Sequence, residues 1–128
     1  RELANLARIG KLAAEPGAPG EIRGLLTSGS ERLADARNEG LALSSRFDLA
    51  YNAAHAFSLA ALRWHGYRSD NRYLVFQSLP HTLGLVAATW RVLAKAHEGR
   101  DEARAGGRNL IEAAEAVRAA VAALPELS

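Results

Sequence analysis

The sequence has 128 residues, of which 48% are hydrophobic and 23% are charged, and its formal net charge is +2. This size and composition predict one soluble domain, residues 1–128, with a core of its own. The absence of cysteine excludes disulfides, thiolate zinc sites and a cysteine nucleophile. No apolar run approaches the ~18 residues of a membrane span, and the first residues lack the apolar centre of a secretory signal. We therefore expect a cytoplasmic protein without membrane contact.

Helical periodicity runs along almost the whole chain, and signals for strands are nearly absent. An apolar residue recurs every three positions from Leu3 to Leu12, and Pro16 cannot continue that helix. Two later runs end at Gly40 and Gly66, a residue type suited to the left-handed position after a helix. The predicted helices cover residues 1–15, 21–40, 45–66, 71–78, 86–104 and 109–124.

The predicted helix over residues 45–66 has apolar positions around most of its circumference. Ser45, followed three residues later by Asp48, predicts a capping box at its start. Its many alanines let neighbouring helices approach closely, and a helix that is apolar nearly all round belongs at the centre of a fold. The sequence therefore predicts an all-α helical bundle of about five helices, with this helix in the middle.

A polar stripe interrupts the central helix. Asp48, Asn52 and His55 are separated by four and three residues, a spacing that places them on one side of a helix. One interpretation is structural: the stripe is satisfied by other helices or by a dimer partner and fixes their register. The other is functional: it faces a cleft and helps to bind a ligand.

Positive charge collects in the middle of the chain. Residues 63–108 hold eight Lys or Arg against four Asp or Glu, and all eight aromatic residues lie between Phe47 and Trp90. Any binding surface is therefore expected in this region. Arg68 and Arg72 are candidates for its positive rim.

A second constellation lies near the end of the predicted helix over residues 86–104. His97, Arg100, Asp101 and Arg104 share one face by helical spacing, and Arg108 follows just beyond. The structural interpretation is a solvated helix end, where His and Arg are favourable against the helix dipole. Periodicity alone does not distinguish this from a site.

From Ser45 to about Arg104 the order of features resembles small prokaryotic HEPN domain proteins. The residues that carry the resemblance are RFDLAYNAAH, ALRWHGYRSDNRY, VFQSLPHTLG and AKAHEGRD, about half of the chain. The resemblance implies a HEPN-like helical bundle that forms a homodimer, often beside a nucleotidyltransferase. It also implies metal-independent ribonuclease activity in a toxin or defence system, carried by an Arg, a polar residue, a short spacer and a His.

The catalytic motif implied by the resemblance is incomplete in this chain. Arg100 and Asp101 match its first half, but Ala105 stands five positions after Arg100 and no His follows. Arg can stabilise phosphorane charge, whereas the proton transfers of RNA cleavage need an imidazole, and loss of a general base costs ~10²–10⁴ in rate. His97, one turn earlier, is the candidate substitute. The candidate ligand-binding residues are Arg104, Arg108, Asp48, Asn52 and His55.

Two functions follow as expectations, and the sequence leaves open whether the protein is an enzyme. The first is an RNA-directed HEPN-like protein, a degenerate or weak metal-independent ribonuclease. The second is a non-catalytic helical module for dimerisation or protein interaction, for example with a nucleotidyltransferase. No metal or cofactor is predicted, because a di-metal bundle needs Glu three residues before His and none of the four histidines has it.

Overall fold

The computed structural model describes residues 2–98 and 107–125. In these ranges the chain forms seven α-helices and one small antiparallel sheet of two strands. The elements are α1 Glu2–Arg8, β1 Ala13–Ala14, α2 Pro19–Ala36, α3 Leu43–Trp64, β2 Tyr67–Arg68, α4 Arg72–Gln77, α5 Leu79–Thr82, α6 Ala87–Glu98 and α7 Gly107–Ala122. The predicted all-α helical bundle is confirmed.

Helix α3 is the centre of the bundle, as its sequence predicts. It packs chiefly against α2 and α7, and it also touches α4, α5 and α6. Its small side chains make this possible: Ala50, Ala53, Ala54 and Ala60 are completely buried. Helix backbones come close where neither side carries a large residue, so the alanines of α3 allow several helices to surround it.

The contact between α2 and α3 depends on one glycine. A Cβ atom at Gly29 would lie 2.7 Å from the ring of the fully buried Phe57. The sequence makes Gly29 look like a weak point of α2, since glycine costs ~1 kcal/mol relative to alanine in a helix. Its position against Phe57 explains the choice, because the ring occupies the space that a side chain would need.

The first predicted helix is too long. Helix α1 ends at Arg8, and Gly10 follows with φ of 82°, a left-handed conformation that favours glycine. The chain then forms β1, which pairs with β2 in the register Ala13 opposite Arg68. This pairing was not predicted, because two residues are too few to give a periodic signal.

Two predicted helix boundaries are also wrong. No capping box forms at Ser45, because α3 begins at Leu43 after Ala42, and Ala42 makes no side-chain cap. Gly40 does not close α2, which ends at Ala36 with Arg37 as its C-cap in a right-handed conformation. Gly66 does have the predicted positive φ, 89°, just after α3.

The connection from α3 to α6 contains two short helices in place of the one predicted. Asn71 caps α4 by accepting a hydrogen bond from the backbone N–H of Leu74. Ser78 ends α4, and α5 begins at Leu79 with Pro80 in its first turn, where proline is tolerated. Across residues 2–98 and 107–125, no helix combines the length and apolarity needed to span a membrane.

Candidate functional site

The polar stripe on α3 lies at the edge of the core. Asp48, Asn52 and His55 are each partly buried, in contrast to the completely buried alanines of the same helix. The side-chain amide of Asn52 donates to the backbone carbonyl of Asp48, 2.8 Å away, which fixes the orientation of the amide. Its oxygen is thereby left pointing away from that carbonyl and able to accept another hydrogen bond.

Arg72, the first residue of α4, binds that oxygen. Its Nη1 donates to Oδ1 of Asn52 at 2.9 Å, across twenty residues of sequence. The Nδ2 atom of Asn52 is thus bound to the backbone and its Oδ1 atom to the guanidinium. Asn52 therefore positions Arg72. We refer to Asn52, His55 and Arg72 as the Arg72 cluster.

Aromatic rings pack against the guanidinium of Arg72. The Cζ atom of Arg72 lies 5.3 Å from the centroid of the Tyr51 ring, within cation–π range. Tyr51 in turn stacks on Phe47, with ring centroids 6.3 Å apart, and meets the edge of Phe76 at 5.7 Å. Rings packed in this way hold Arg72 in place. Phe47 and Arg72 occupy the ring faces of Tyr51 that they contact, so these faces are not stacking surfaces for nucleobases.

Arg72 differs from its neighbour Arg68 in how its charge is balanced. Arg68 lies 3.3 Å from a carboxylate oxygen of Glu15 and 3.7 Å from one of Asp70. Within the described part of the chain, no carboxylate lies within ion-pair distance of Arg72. Of the two predicted rim arginines, Arg68 is therefore paired, while Arg72 is partly buried and no carboxylate of the described residues balances its charge.

His55 completes the cluster as a neutral imidazole. Burial, followed by repulsion from Arg72, lowers the pKa of His55 to about 4. Its ring meets the edge of Phe76 with centroids 6.1 Å apart. A neutral imidazole offers one N–H donor and one acceptor nitrogen. At neutral pH the Arg72 cluster therefore presents one fixed positive charge beside an uncharged hydrogen-bonding ring.

The side chains of the predicted catalytic segment lie outside the part of the chain that the structure describes. His97 belongs to α6 and Arg108 to α7, but their side chains lie outside what the structure describes. Arg100, Asp101 and Arg104 fall outside the described residues altogether. The structure therefore connects the α3 stripe to Arg72 and leaves the proposed roles of these five residues as predictions.

Comparison with known proteins gives no relative. The chain matches no protein-family model, no curated protein and no solved structure. The function has to be argued from the side chains themselves. Among residues 2–98 and 107–125, no group of three or more His, Asp or Glu side chains is arranged to hold a metal ion.

A second arginine cluster was missed by sequence reasoning. Arg63, near the end of α3, is only 2% exposed, and it forms ion pairs with Glu15 and Glu21 at 3.2 and 3.1 Å. Its guanidinium also donates to the backbone carbonyls of Glu15, Pro16 and Tyr67. We refer to Arg63, Glu15 and Glu21 as the Arg63 cluster.

The Arg63 cluster has a structural role. Its hydrogen bonds attach the segment between β1 and α2 to the end of α3 and to β2. Gly17 belongs to the same junction, because a Cβ there would lie 2.5 Å from the carbonyl oxygen of Arg63. The sequence did hold a signal for this cluster: Arg63 follows the apolar residues Ala60, Ala61 and Leu62 in the central helix. A charge at such a position is buried, and buried charges are almost always paired.

Proposed function

We propose that this helical domain binds RNA and that Arg72 is a phosphate contact. The proposal retains the HEPN-like interpretation: an RNA-directed protein of toxin or defence type in which ribonuclease activity is weak or lost. The absence of a His after Arg100 supports the loss of activity. Arg100 and the neighbouring His97, Arg104 and Arg108 stay in the proposal as further contacts, on the strength of the sequence resemblance.

The observation that carries the proposal is the charge of Arg72, which no carboxylate of the described residues balances. A guanidinium that is partly buried loses some of its hydration, and a carboxylate usually restores the balance. Here the described residues give it an amide oxygen and a phenol ring instead. A planar guanidinium held in this way has further N–H donors for a phosphate group, which it can bind through two parallel hydrogen bonds.

The test is binding of single-stranded RNA by fluorescence anisotropy, with Arg72→Gln compared against Arg68→Gln. Both variants remove one positive charge from the same short segment, but Arg68 already has carboxylate partners. We expect Arg72→Gln to weaken binding about tenfold or more, equivalent to ~1.4 kcal/mol. It should also reduce the slope of log Kd against log salt by about 0.7, one phosphate contact on a single strand.

The matched control decides between a site and a general charge effect. We expect Arg68→Gln to change the affinity less than about twofold, because an exposed ion pair contributes little. Equal losses in the two variants, or unchanged binding in Arg72→Gln with its fold intact by circular dichroism, would remove Arg72 from the RNA-binding surface.

A groove between α6 and α7 favours the second candidate function, a dimerisation or protein-interaction module. It measures about 230 Å³ and is lined mainly by small or apolar residues: Ala88, Thr89, Val92, Glu112, Ala113 and Ala116. Val86, just before α6, is 67% exposed. Apolar surface of this kind is typical of protein contacts, including the homodimer and the nucleotidyltransferase-type partner that the HEPN resemblance implies.

Sedimentation equilibrium tests this candidate. A dimer at micromolar protein that becomes a monomer in Ala88→Arg would support it, because Ala88 is exposed and the new charge would sit in the groove. A monomer in the wild-type protein would count against a homodimer and would leave a different protein as the partner. Dimerisation together with absent RNA binding would make the interaction module the better account.

A further inference from the structure

Among the described residues, the Arg72 cluster presents a single positive charge that no carboxylate balances. Arg72 is the charged group that perturbs His55, and the neighbouring Arg68 is neutralised by Glu15 and Asp70. Proteins that follow an RNA backbone use a groove lined with several cations, because each diester linkage carries one charge. In the described part of the chain the cluster instead has one guanidinium that no carboxylate balances and a neutral imidazole, which is better suited to one group of higher charge.

The hydrogen-bonding groups of the cluster also favour such a group. Arg72 has five N–H donors, of which Nη1 contacts Asn52. His55 contributes a donor and an acceptor, and no described residue hydrogen-bonds to its ring. Every buried side-chain nitrogen in the described part of the chain has a partner, so the ring nitrogens of His55 must reach solvent. At least part of the imidazole edge is therefore in contact with solvent.

A terminal phosphate differs from a phosphodiester both in its charge and in its hydrogen-bonding groups. It carries −1.5 to −2 charges at pH 7 and three strong acceptor oxygens, and its second pKa is near 6. A diester linkage has one charge, two free oxygens and no proton to exchange near neutrality. The advantage of the higher charge grows at a partly buried guanidinium, since screening by water is reduced there.

We propose that the Arg72 cluster binds the terminal phosphate of an RNA end or a nucleotide, a phosphomonoester, in preference to the diester linkages within an RNA chain. The inference rests on the proposed function, because it assigns the phosphate group that Arg72 contacts. Arg72 supplies the charge, Asn52 holds the guanidinium, and His55 shares a proton with the phosphate.

His55 provides a readout that a merely structural role would not give. A bound dianion compensates Arg72, whose repulsion contributes to the lowered pKa of His55, and it accepts a hydrogen bond from the protonated ring. The other titratable groups on this face of α3 are Tyr51, one turn before His55, and Asp48, two turns before it. Saturating phosphate should therefore raise the pKa of His55 by about one unit or more, as followed by NMR of the imidazole.

The first experiment uses three single-stranded RNAs of one sequence, with a 5′-phosphate, a 3′-phosphate or hydroxyl groups at both ends. We expect at least one phosphorylated RNA to bind about tenfold more tightly than the hydroxyl-ended RNA at pH 7. Arg72→Gln should abolish that preference and His55→Gln should reduce it severalfold, while Arg68→Gln keeps it. Adenosine monophosphate and inorganic phosphate, added as competitors, show whether the phosphate alone is recognised.

The outcomes separate this inference from the proposed function. Equal affinity for the three RNAs would overturn the preference for an RNA end and leave RNA binding standing. Absence of binding to any RNA would overturn the proposed function, and the phosphate titration of His55 then decides the inference by itself. A raised pKa would support a nucleotide or phosphate site, whereas an unchanged pKa at millimolar phosphate would overturn it.

Discussion

Arg63 and Arg72 show how one residue type takes two roles in the same bundle. Arg63 is 2% exposed, and two carboxylates and three backbone carbonyls surround its guanidinium. Arg72 is partly buried at the edge of the core, where an amide oxygen and an aromatic ring hold it. Both side chains are fixed, but among the described residues carboxylates balance the charge of Arg63 and none balances that of Arg72.

The difference teaches that charge compensation, rather than burial alone, separates a structural arginine from a candidate binding arginine. A compensated guanidinium has no remaining need for an anion, and removing it leaves acceptors unpaired. An uncompensated guanidinium gains from an anion that arrives with a ligand.

The largest effect is expected for Arg63→Met, which should lower the free energy of unfolding by about 3 kcal/mol. The carbonyls of Glu15, Pro16 and Tyr67 lose their charged donor, and a hydrogen bond to a charged group contributes ~1.5–3 kcal/mol. The carboxylates of Glu15 and Glu21 are 49% and 44% exposed, so water can solvate them and limit the loss. Urea denaturation followed by circular dichroism measures the change.

Arg72→Met is the matched variant for this measurement. It removes one hydrogen bond and one cation–π contact at the edge of the core, and we expect a loss of about 1 kcal/mol. Comparable losses for Arg63→Met and Arg72→Met would contradict the distinction between a structural and an available arginine.

The second effect concerns the pH dependence of stability through His55. Its pKa is about 4 in the folded protein, against 6.5 in an unfolded chain, so the unfolded state binds more protons between these values. Stability should therefore fall by about 2 kcal/mol as the pH is lowered from 7 to 5. His55→Gln should show a clearly smaller fall in urea titrations at the two pH values; an identical fall would mean that His55 is not desolvated.

The third effect tests Asn52 as the residue that positions Arg72. Asn52→Leu removes the oxygen that accepts from Arg72 without changing the charge of the cluster. We expect RNA affinity to weaken about threefold to fivefold while the slope of affinity against salt changes little, because the guanidinium is still present. Unchanged affinity in Asn52→Leu would show that Arg72 needs no support from α3. Asn52→Asp keeps an oxygen that accepts from Arg72 and serves as the second variant.

The smallest effect belongs to Glu21 in the Arg63 cluster. Its hydrogen bond with Arg63 lowers the pKa of this carboxyl below its ordinary value of 4.5. A carboxyl with a lowered folded pKa stabilises the protein above its unfolded pKa, and that contribution is lost as the pH falls through the folded value. Glu21→Gln should therefore reduce stability slightly at pH 7 and not at about pH 2, as thermal unfolding at both pH values would measure. An equal effect at both would contradict the ion pair.

The sequence predicts the centre of this fold better than its edges. Residues 45–66 are rich in alanine and apolar nearly all round, and a helix of that kind can only be central. The ends of α1 and α2 were predicted wrongly. Gly10 has a positive φ and follows the end of α1, whereas Gly40 has no positive φ and does not close α2. Residue type alone does not distinguish these two glycines. Gly29 looks unfavourable in α2 until the ring of Phe57 is seen beside it.

The part of the candidate site that lies on one helix was also predictable from the sequence. Helical spacing places Asp48, Asn52 and His55 along one stripe, since neighbours in a helix are set by local geometry. The partnership of Asn52 with Arg72 and that of Arg63 with Glu21 span twenty and forty-two residues. Contacts at such separations depend on how the helices pack, and a single sequence does not give that information.

The most direct test of the contrast is NMR of the arginine Nε–H groups during addition of a 5′-phosphorylated single-stranded RNA. We expect the Nε–H signal of Arg72 to shift with increasing RNA and to saturate. The signal of Arg63 should stay in place, because its guanidinium is already enclosed by Glu15, Glu21 and backbone carbonyls. An Arg72 signal that does not move at RNA concentrations where the protein is bound would show that Arg72 is not a phosphate contact.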